Sequence, residues 1–307
     1  MLPDSNAPTQ PSARQIPTVW AGETQPVTIA RPQPRRRRVP PGAVVLGLAV
    51  GLAAGLYLLA PWRTNLLLLG IDRAPEGTDI ARSDTIILMT VLPPRPYVGM
   101  LSIPRDLWVT IPGYGENRIN AAHALAEGDS PGSGPALAVE TVATNFGVDV
   151  DYYARLEFDG LRRFVDALGG IDIELNLPTA LYSAGEHHLT GEQALAFVRD
   201  RAGSDDFVRM QRGQMFLRAL MRQVLRPTTW PRLLVAVPLL AASIDSNLPP
   251  WEWPRWGLAF VRAGPAGIDG RSITRDMVAP FTTAGGASVL APDWSQINPV
   301  LLEMFGQ

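Results

Sequence analysis

The chain has 307 residues, 46% hydrophobic and 18% charged, enough apolar content to bury one large core or two small ones. It has no Cys and no Lys, so all 27 basic residues are Arg. Thiol nucleophiles, disulfides, Cys-ligated zinc, Lys Schiff bases and Lys-containing phosphate loops are thereby excluded, and each fixed cation is a planar guanidinium fork suited to phosphate oxygens.

Residues 1–34 are rich in Pro, Gln, Thr and Ala without helical or strand periodicity, which predicts disorder, and Arg35–Arg38 follow as a block of four positive charges. Residues 1–41 therefore read as a tail. From Gly42 to Ala60 the chain runs 19 residues without a charge, close to the roughly 20 that cross a bilayer as a helix. Tyr57 and Trp62 stand near its far end, where interfacial aromatics are expected. With the Arg block ahead of the span, the expectation is a retained single-pass anchor over 42–60, a cytoplasmic N-terminus and an exterior body over 61–307. A cleaved signal peptide is the alternative, but the apolar run exceeds the usual signal core. Residues 1–60 carry six Arg against Asp4 and Glu23, which leaves residues 61–307 with a net charge of −6. An acidic exterior body argues against nucleic-acid binding.

Beyond the anchor, Leu66–Leu69, Thr85–Leu92, Tyr97–Ile103 and Leu107–Ile111 have strand length and strand composition. Pro93-Pro94-Arg95-Pro96 predicts a turn between two antiparallel strands. Helices are expected over 119–127, 136–146, 161–168 and 206–225, with further strands over 152–158 and 171–175. From Pro227 onward two or three helices broken by Pro and Trp precede a final strand and helix. The mixture predicts one sheet sandwiched by helices, an α/β or α-β-α body.

Charge collects beside these strands in four places. Asp72 ends one strand, and Arg82-Ser83-Asp84 opens the next. Pro104-Arg105-Asp106 follows a third. Arg199 and Arg201 share one face if residues 196–201 are extended. Asp206, Arg209 and Arg212 share one face of a helix if the i, i+3, i+6 spacing holds there. Any one of these is ordinary surface ion pairing. Four together suit an anion of high charge density such as a pyrophosphate with Mg²⁺, the carboxylates holding the cation and the Arg forks the phosphate oxygens. His123, His187 and His188 lack metal-ligand spacing, Gly113-Tyr114-Gly115 reads as a turn, and Asp205-Asp206 as a helix start.

Seven motifs carry a resemblance: LLLLGIDR from Leu66, RSDTI from Arg82, LSIPRDLWV from Leu101, RINAAHA from Arg118, VDALGGIDIEL from Val165, LTGEQALAFVRDR from Leu189 and DFVRMQRGQ from Asp206. Over residues 65–226 the chain resembles the LytR-CpsA-Psr proteins, bacterial cell-wall glycopolymer ligases. The resemblance implies an α-β-α sandwich with a central mixed sheet. It implies an enzyme that moves a glycan, with one phosphate, from a polyprenyl pyrophosphate to the 6-hydroxyl of a peptidoglycan muramic acid, assisted by Mg²⁺. By motif position, Asp72 and Asp84 would face the metal, and Arg82, Arg105, Arg199 and Arg201 would hold the pyrophosphate. Arg118, Arg209, Arg212 and Gln214 would make further substrate contacts, and an apolar tunnel between sheet and helices would take the lipid. The chain departs from the family's Arg-Gln-Gln at Arg212-Gly213-Gln214, which implies either that Gln211 or Gln214 stands in for the missing Gln or that the headgroup specificity differs. Two alternatives stand beside it: a polyprenyl-pyrophosphate phosphatase, which would use the same residues, and a non-catalytic lipid-binding or regulatory membrane protein, in which Asp84→Ala or Arg105→Ala would leave function in cells intact.

Overall fold

The computed structural model describes residues 40–71, 83–200 and 206–306. The predicted disordered tail up to Val39 therefore lies outside the described residues, as do Asp72, Arg82 and Arg201. The chain divides into two units, Met1–Leu48 and Ala49–Gln307. Helix α1, Pro41–Leu58, has 18 residues, none buried and none charged. At 1.5 Å per residue it is about 27 Å long, close to the apolar thickness of a bilayer.

The larger unit is built on a six-stranded mixed sheet in the order β10-β3-β2-β1-β6-β9. Its strands are β1 (Thr64–Ile71), β2 (Ser83–Leu92), β3 (Tyr97–Ile103), β6 (Tyr152–Glu157), β9 (Ile244–Ser246) and β10 (Ile268–Ser272). β1, β2 and β3 form an antiparallel meander, with Leu92 opposite Tyr97 across the predicted Pro-rich turn. β6 lies parallel to β1 and β10 parallel to β3. The central strands read as near-continuous apolar runs because both faces are covered. Alternation sends Leu67, Leu69, Ile86, Leu88, Leu101 and Ile103 to one face, against α3 (Gly134–Phe146) and α9 (Trp294–Phe305). Leu66, Ile87, Met89, Val91, Val98 and Met100 go to the other, against α8 (Trp253–Ala263) and the long helix α6 (Asp206–Leu225). At about 25 cal/mol per Å² these two interiors supply the main stabilisation of the sandwich.

A third core holds α4 (Phe158–Leu168), α5 (Gly191–Arg199), α7 (Trp230–Ala241) and the hairpin β7 (Ile171–Leu175) and β8 (Gly185–Leu189) around one face of α6. Two further hairpins are β4 (Trp108–Ile111) with β5 (Gly115–Arg118), turning at Gly113, and β11 (Val278–Thr282) with β12 (Ser288–Pro292). Helix α2 (Ala121–Asp129) follows β5 directly.

Two expectations need correction. Residues 196–199 are not extended: α5 runs through Arg199. A reciprocal cap starts it, Thr190 Oγ1 accepting from the Gln193 backbone and Gln193 Oε1 accepting from the Thr190 backbone. Ala194, Leu195, Phe197 and Val198 then pack at helical spacing, which overrides any period-2 reading. The second concerns Arg212. Each step of three residues turns a helix by 300°, so six positions end about 120° away from the start. Arg212 accordingly leaves the Asp206–Arg209 face.

Just before β1, the Arg255 guanidinium is fully buried and donates to the carbonyls of Ala60, at 3.2 Å, and Trp62, while stacking 4.7 Å from the Trp62 ring centre. The Tyr57 hydroxyl donates to buried Glu252 at 2.6 Å. The last turn of α1 and the start of β1 are therefore fastened to the N-terminus of α8.

Candidate functional site

The site forms where β1, β2 and β3 end together. Ile71 of β1 stands opposite Ser83 of β2, so the chain leaves and re-enters the sheet at neighbouring positions. A bulge falls between Gly70 and Ile71, and a Cβ at Gly70 would come within 2.9 Å of Thr85 Cβ, so the crossing needs glycine. Asp84, one residue into β2, is thereby held at the sheet rim. Pro104 ends β3 and aims Arg105 back across that rim.

Arg105 is the hub. Its Nη1 donates to Asp84 at 2.7 Å, and its Nε lies 3.2 Å from Asp206 and 3.6 Å from Asp106. Asp206 opens α6 and pairs one turn on with Arg209. Asp106 turns its other oxygen to Arg118 Nε, at 3.3 Å, and Arg118 Nη2 also donates to the Ser288 carbonyl at 2.9 Å. Among the described residues, three carboxylates and three guanidiniums thus interleave over one strand end. Burial works against the charge of Arg105, but Asp84, Asp206 and Asp106 outweigh it and hold the guanidinium above its ordinary value. Burial also pushes the Asp206 carboxyl up, against the opposing pull of Arg209 and Arg105.

That direction has a measurable sign. Native Asp206 binds its proton more readily than the unfolded chain, whose Asp titrates near about 3.9. The native state then holds the extra proton as pH rises from that value through the raised native one, so stability falls across the window and is flat above it. Compared with Asp206→Asn in urea melts from pH 4 to 7, the wild type should lose stability as pH rises. A difference that grows in its favour instead would contradict the burial argument.

Beneath the rim, Ile87, Ile103, Val198 and Met210 floor a cleft whose mouth carries Asp84, Asp206 and Arg209. Its free volume is about 30 Å³, far less than a lipid tail needs. Gly213, in the place of the family's first Gln, also lines the cleft, and a Cβ there would meet nothing within 4 Å. Neither candidate stand-in reaches it: Gln211 is exposed, and buried Gln214 donates to the Arg271 carbonyl, to Ser102 Oγ at 3.1 Å and to Ser272 Oγ at 3.3 Å. Gln214 ties α6 to the sheet.

Among the candidate residues, the structure gathers Asp84, Arg105, Arg118 and Arg209. Arg199 ends α5 with its guanidinium 5.0 Å from the Phe158 ring centre, next to Val198 of the cleft floor. Arg212 donates to the Asp200 carbonyl at 2.6 Å and pairs with its carboxylate at 3.1 Å, a buried tie between α6 and the end of α5. Asp206 was legible as a helix start and as a same-face neighbour of Arg209, not as a partner of Arg105. Its partner Arg105 is distant in sequence, and no local spacing announces the pair.

The donor chemistry suits a hard cation in part. Among the described residues no group of three or more His, Asp or Glu is placed to hold a metal. Mg²⁺ commonly takes one or two carboxylates, completing its shell with water and substrate phosphate, and Asp84 offers oxygen of that kind.

Comparison with known proteins supplies the relatives. The LytR_cpsA_psr family profile matches residues 61–300. The Oceanobacillus iheyensis polyisoprenyl-teichoic acid–peptidoglycan teichoic acid transferase TagU is 36% identical over 165 residues, 52% of this chain and 51% of TagU. The Staphylococcus aureus regulatory protein MsrR is 29% identical over 228 residues, 71% of this chain and 65% of MsrR. The chain thus spans about half of one relative's length and just under two thirds of the other's. The solved structure of TagT bound to LIIa-WTA superposes with a TM-score of 0.64 at 25% identity, covering 80% of this chain and 91% of that one. Profile, relatives and fold converge, and the chain belongs to the LytR-CpsA-Psr family.

Proposed function

We propose that this chain is a membrane-anchored phosphotransferase that moves a glycopolymer, with one phosphate, from a polyprenyl pyrophosphate to peptidoglycan, with Mg²⁺ as cofactor. The observation that carries the reading is Arg105, held by three carboxylates over a cleft with a charged mouth and an apolar floor. TagU's name as a teichoic acid–peptidoglycan transferase and the TagT complex with LIIa-WTA support the same chemistry.

Asp84, Asp106 and Asp206 already pair with Arg105, Arg118 and Arg209, so these forks would have to exchange a carboxylate for phosphate, and the freed carboxylates beside a doubly negative pyrophosphate would need a counter-charge. Mg²⁺, held by Asp84 and, by family position, Asp72, would supply it and polarise the phosphoryl oxygens. Arg105 and Arg209 would then turn their forks from carboxylate to phosphate, with Arg82, Arg199 and Arg201 as further candidates by motif. The acceptor hydroxyl forms the new P–O bond on the glycan-bearing phosphorus, polyprenyl phosphate leaves with the old one, and the hydroxyl proton passes to a carboxylate at the rim. Asp106, facing both Arg105 and Arg118, is the rim carboxylate proposed for that proton, whereas Asp200, the other candidate by sequence, is taken up in the buried pair with Arg212. The Arg35–Arg38 block supports an N-terminus in the cytoplasm and the body outside.

The test incubates the detergent-solubilised full chain with lipid-linked glycan and Mg²⁺, with and without peptidoglycan. Covalent attachment to peptidoglycan is expected. Glycan release that never becomes attachment would point to the phosphatase instead, and absence of any turnover to the regulatory role in MsrR's name.

A further inference from the structure

Helix α8 is apolar on two faces. Arg255, Trp256 and Ala259 are buried beneath it, while the opposite face presents Trp253, Pro254, Gly257 and Val261 to solvent, three of them at i, i+4, i+8 spacing. Trp253 is 45% exposed and Val261 65%, and Trp251, set just after Pro249-Pro250, is 65% exposed. A surface helix facing water carries polar residues on that side. The stripe therefore needs an occupant.

Its position identifies one. Glu252, between the two Trp, accepts from Tyr57 in the last turn of α1, and Arg255 donates to the carbonyls of Ala60 and Trp62. At the other end of α8, Arg262 Nη1 donates to the Pro93 carbonyl, in the turn between β2 and β3, at 2.7 Å. The helix thus runs from the start of β1 to that turn, at the end of the sheet opposite the Arg105 rim. Trp62, 51% exposed, helps to line an open apolar recess of about 650 Å³ with Gly51, Gly55 and Leu59 of the preceding segment. Charge here has one sign: neither α8 nor residues 93–96 contain Asp or Glu, and Arg95 and Arg262 are exposed. Tryptophans flanked by cations beside the end of an apolar span match the headgroup layer of a bilayer, where indoles settle and guanidiniums meet lipid phosphates.

We propose that α8 is an interfacial helix, with Trp251, Trp253 and Val261 entering the headgroup region of the leaflet from which α1 emerges and Arg95 and Arg262 on lipid phosphates. The proposal rests on the membrane-anchored reading. It gives the body a second hold on the bilayer, which stops it swinging about the anchor. β1 leads from this end to the rim in eight residues, so the rim is kept within about 26 Å of lipid.

The experiment reconstitutes the full chain in bilayers of phosphatidylcholine and phosphatidylglycerol. With no Cys in the chain, single variants Val261→Cys and Ser130→Cys, the latter at the exposed end of α2, each carry one nitroxide label. Gly257→Cys, where an added Cβ meets nothing within 4 Å, gives a second site on the stripe should Val261→Cys fail to fold. Collision with a water-soluble nickel chelate should be at least fivefold lower on the stripe than at Ser130, and collision with oxygen, which concentrates in lipid, should be higher. Equal accessibility at the two places overturns the proposal. Protection that vanishes when the chain is diluted tenfold in lipid assigns the stripe to a second copy and overturns it too. Release of the chain from vesicles by alkaline carbonate removes the anchor and this proposal together, whereas a retained chain with a water-exposed stripe loses the interfacial helix alone.

Discussion

Arg105→Ala should abolish most glycan attachment, lowering kcat by roughly 10²–10³, the range for losing one preorganised donor to a developing oxyanion. The residue contacts Asp84, Asp106 and Asp206 together, so its removal also leaves three carboxylates crowded over one strand end. Without its pull, the Asp206 carboxyl, already raised by burial, should rise further. Arg105→Lys should recover little, because an ammonium cannot span the Nη1 contact to Asp84 and the Nε contact to Asp206 at once. Attachment assays on variants that melt near the wild-type temperature give the answer, and activity within threefold of wild type would remove Arg105 from the site.

Arg212→Met should act on stability first. Its side chain is 7% exposed and tied twice to Asp200, itself 8% exposed. Removing one member of a buried pair costs about 3–5 kcal/mol, because the partner charge stays buried. For a domain of this size each kcal/mol lowers Tm by about 2–4 °C, so a fall of roughly 6–20 °C is expected. The double variant Arg212→Met with Asp200→Asn should recover part of that loss, measured as a coupling in urea melts. A direct substrate role alone would leave the melt unchanged while activity fell.

The two residues show where sequence reading stops. The meander of β1, β2 and β3 was legible because its strands are apolar on both faces and Pro93–Pro96 punctuates them. β5 (GENR), β9 (IDS) and β10 (IDGRS) were not, since their composition carries no strand signal and neighbouring strands decide their conformation. At the site, local motifs put Asp84, Arg105, Arg118 and Arg209 near one another in kind but not in partnership. The Asp206–Arg105 pair arises from tertiary packing of α6 over β3. Arg212 was misplaced by counting in threes along a helix of 3.6 residues per turn. The α5 error had a local cure, since Thr190 and Gln193 spell a capping box.

The outer strands of the six-stranded sheet have a further consequence. β9 is three residues long, and its Asp245 is bound to Arg155; β10 is five residues long and carries Asp269, Gly270 and Arg271. Each is too short and too polar to template another copy's strand. In the membrane plane proposed for this chain, copies would meet at high effective concentration, and these blunted edges would keep such encounters from ending in polymer.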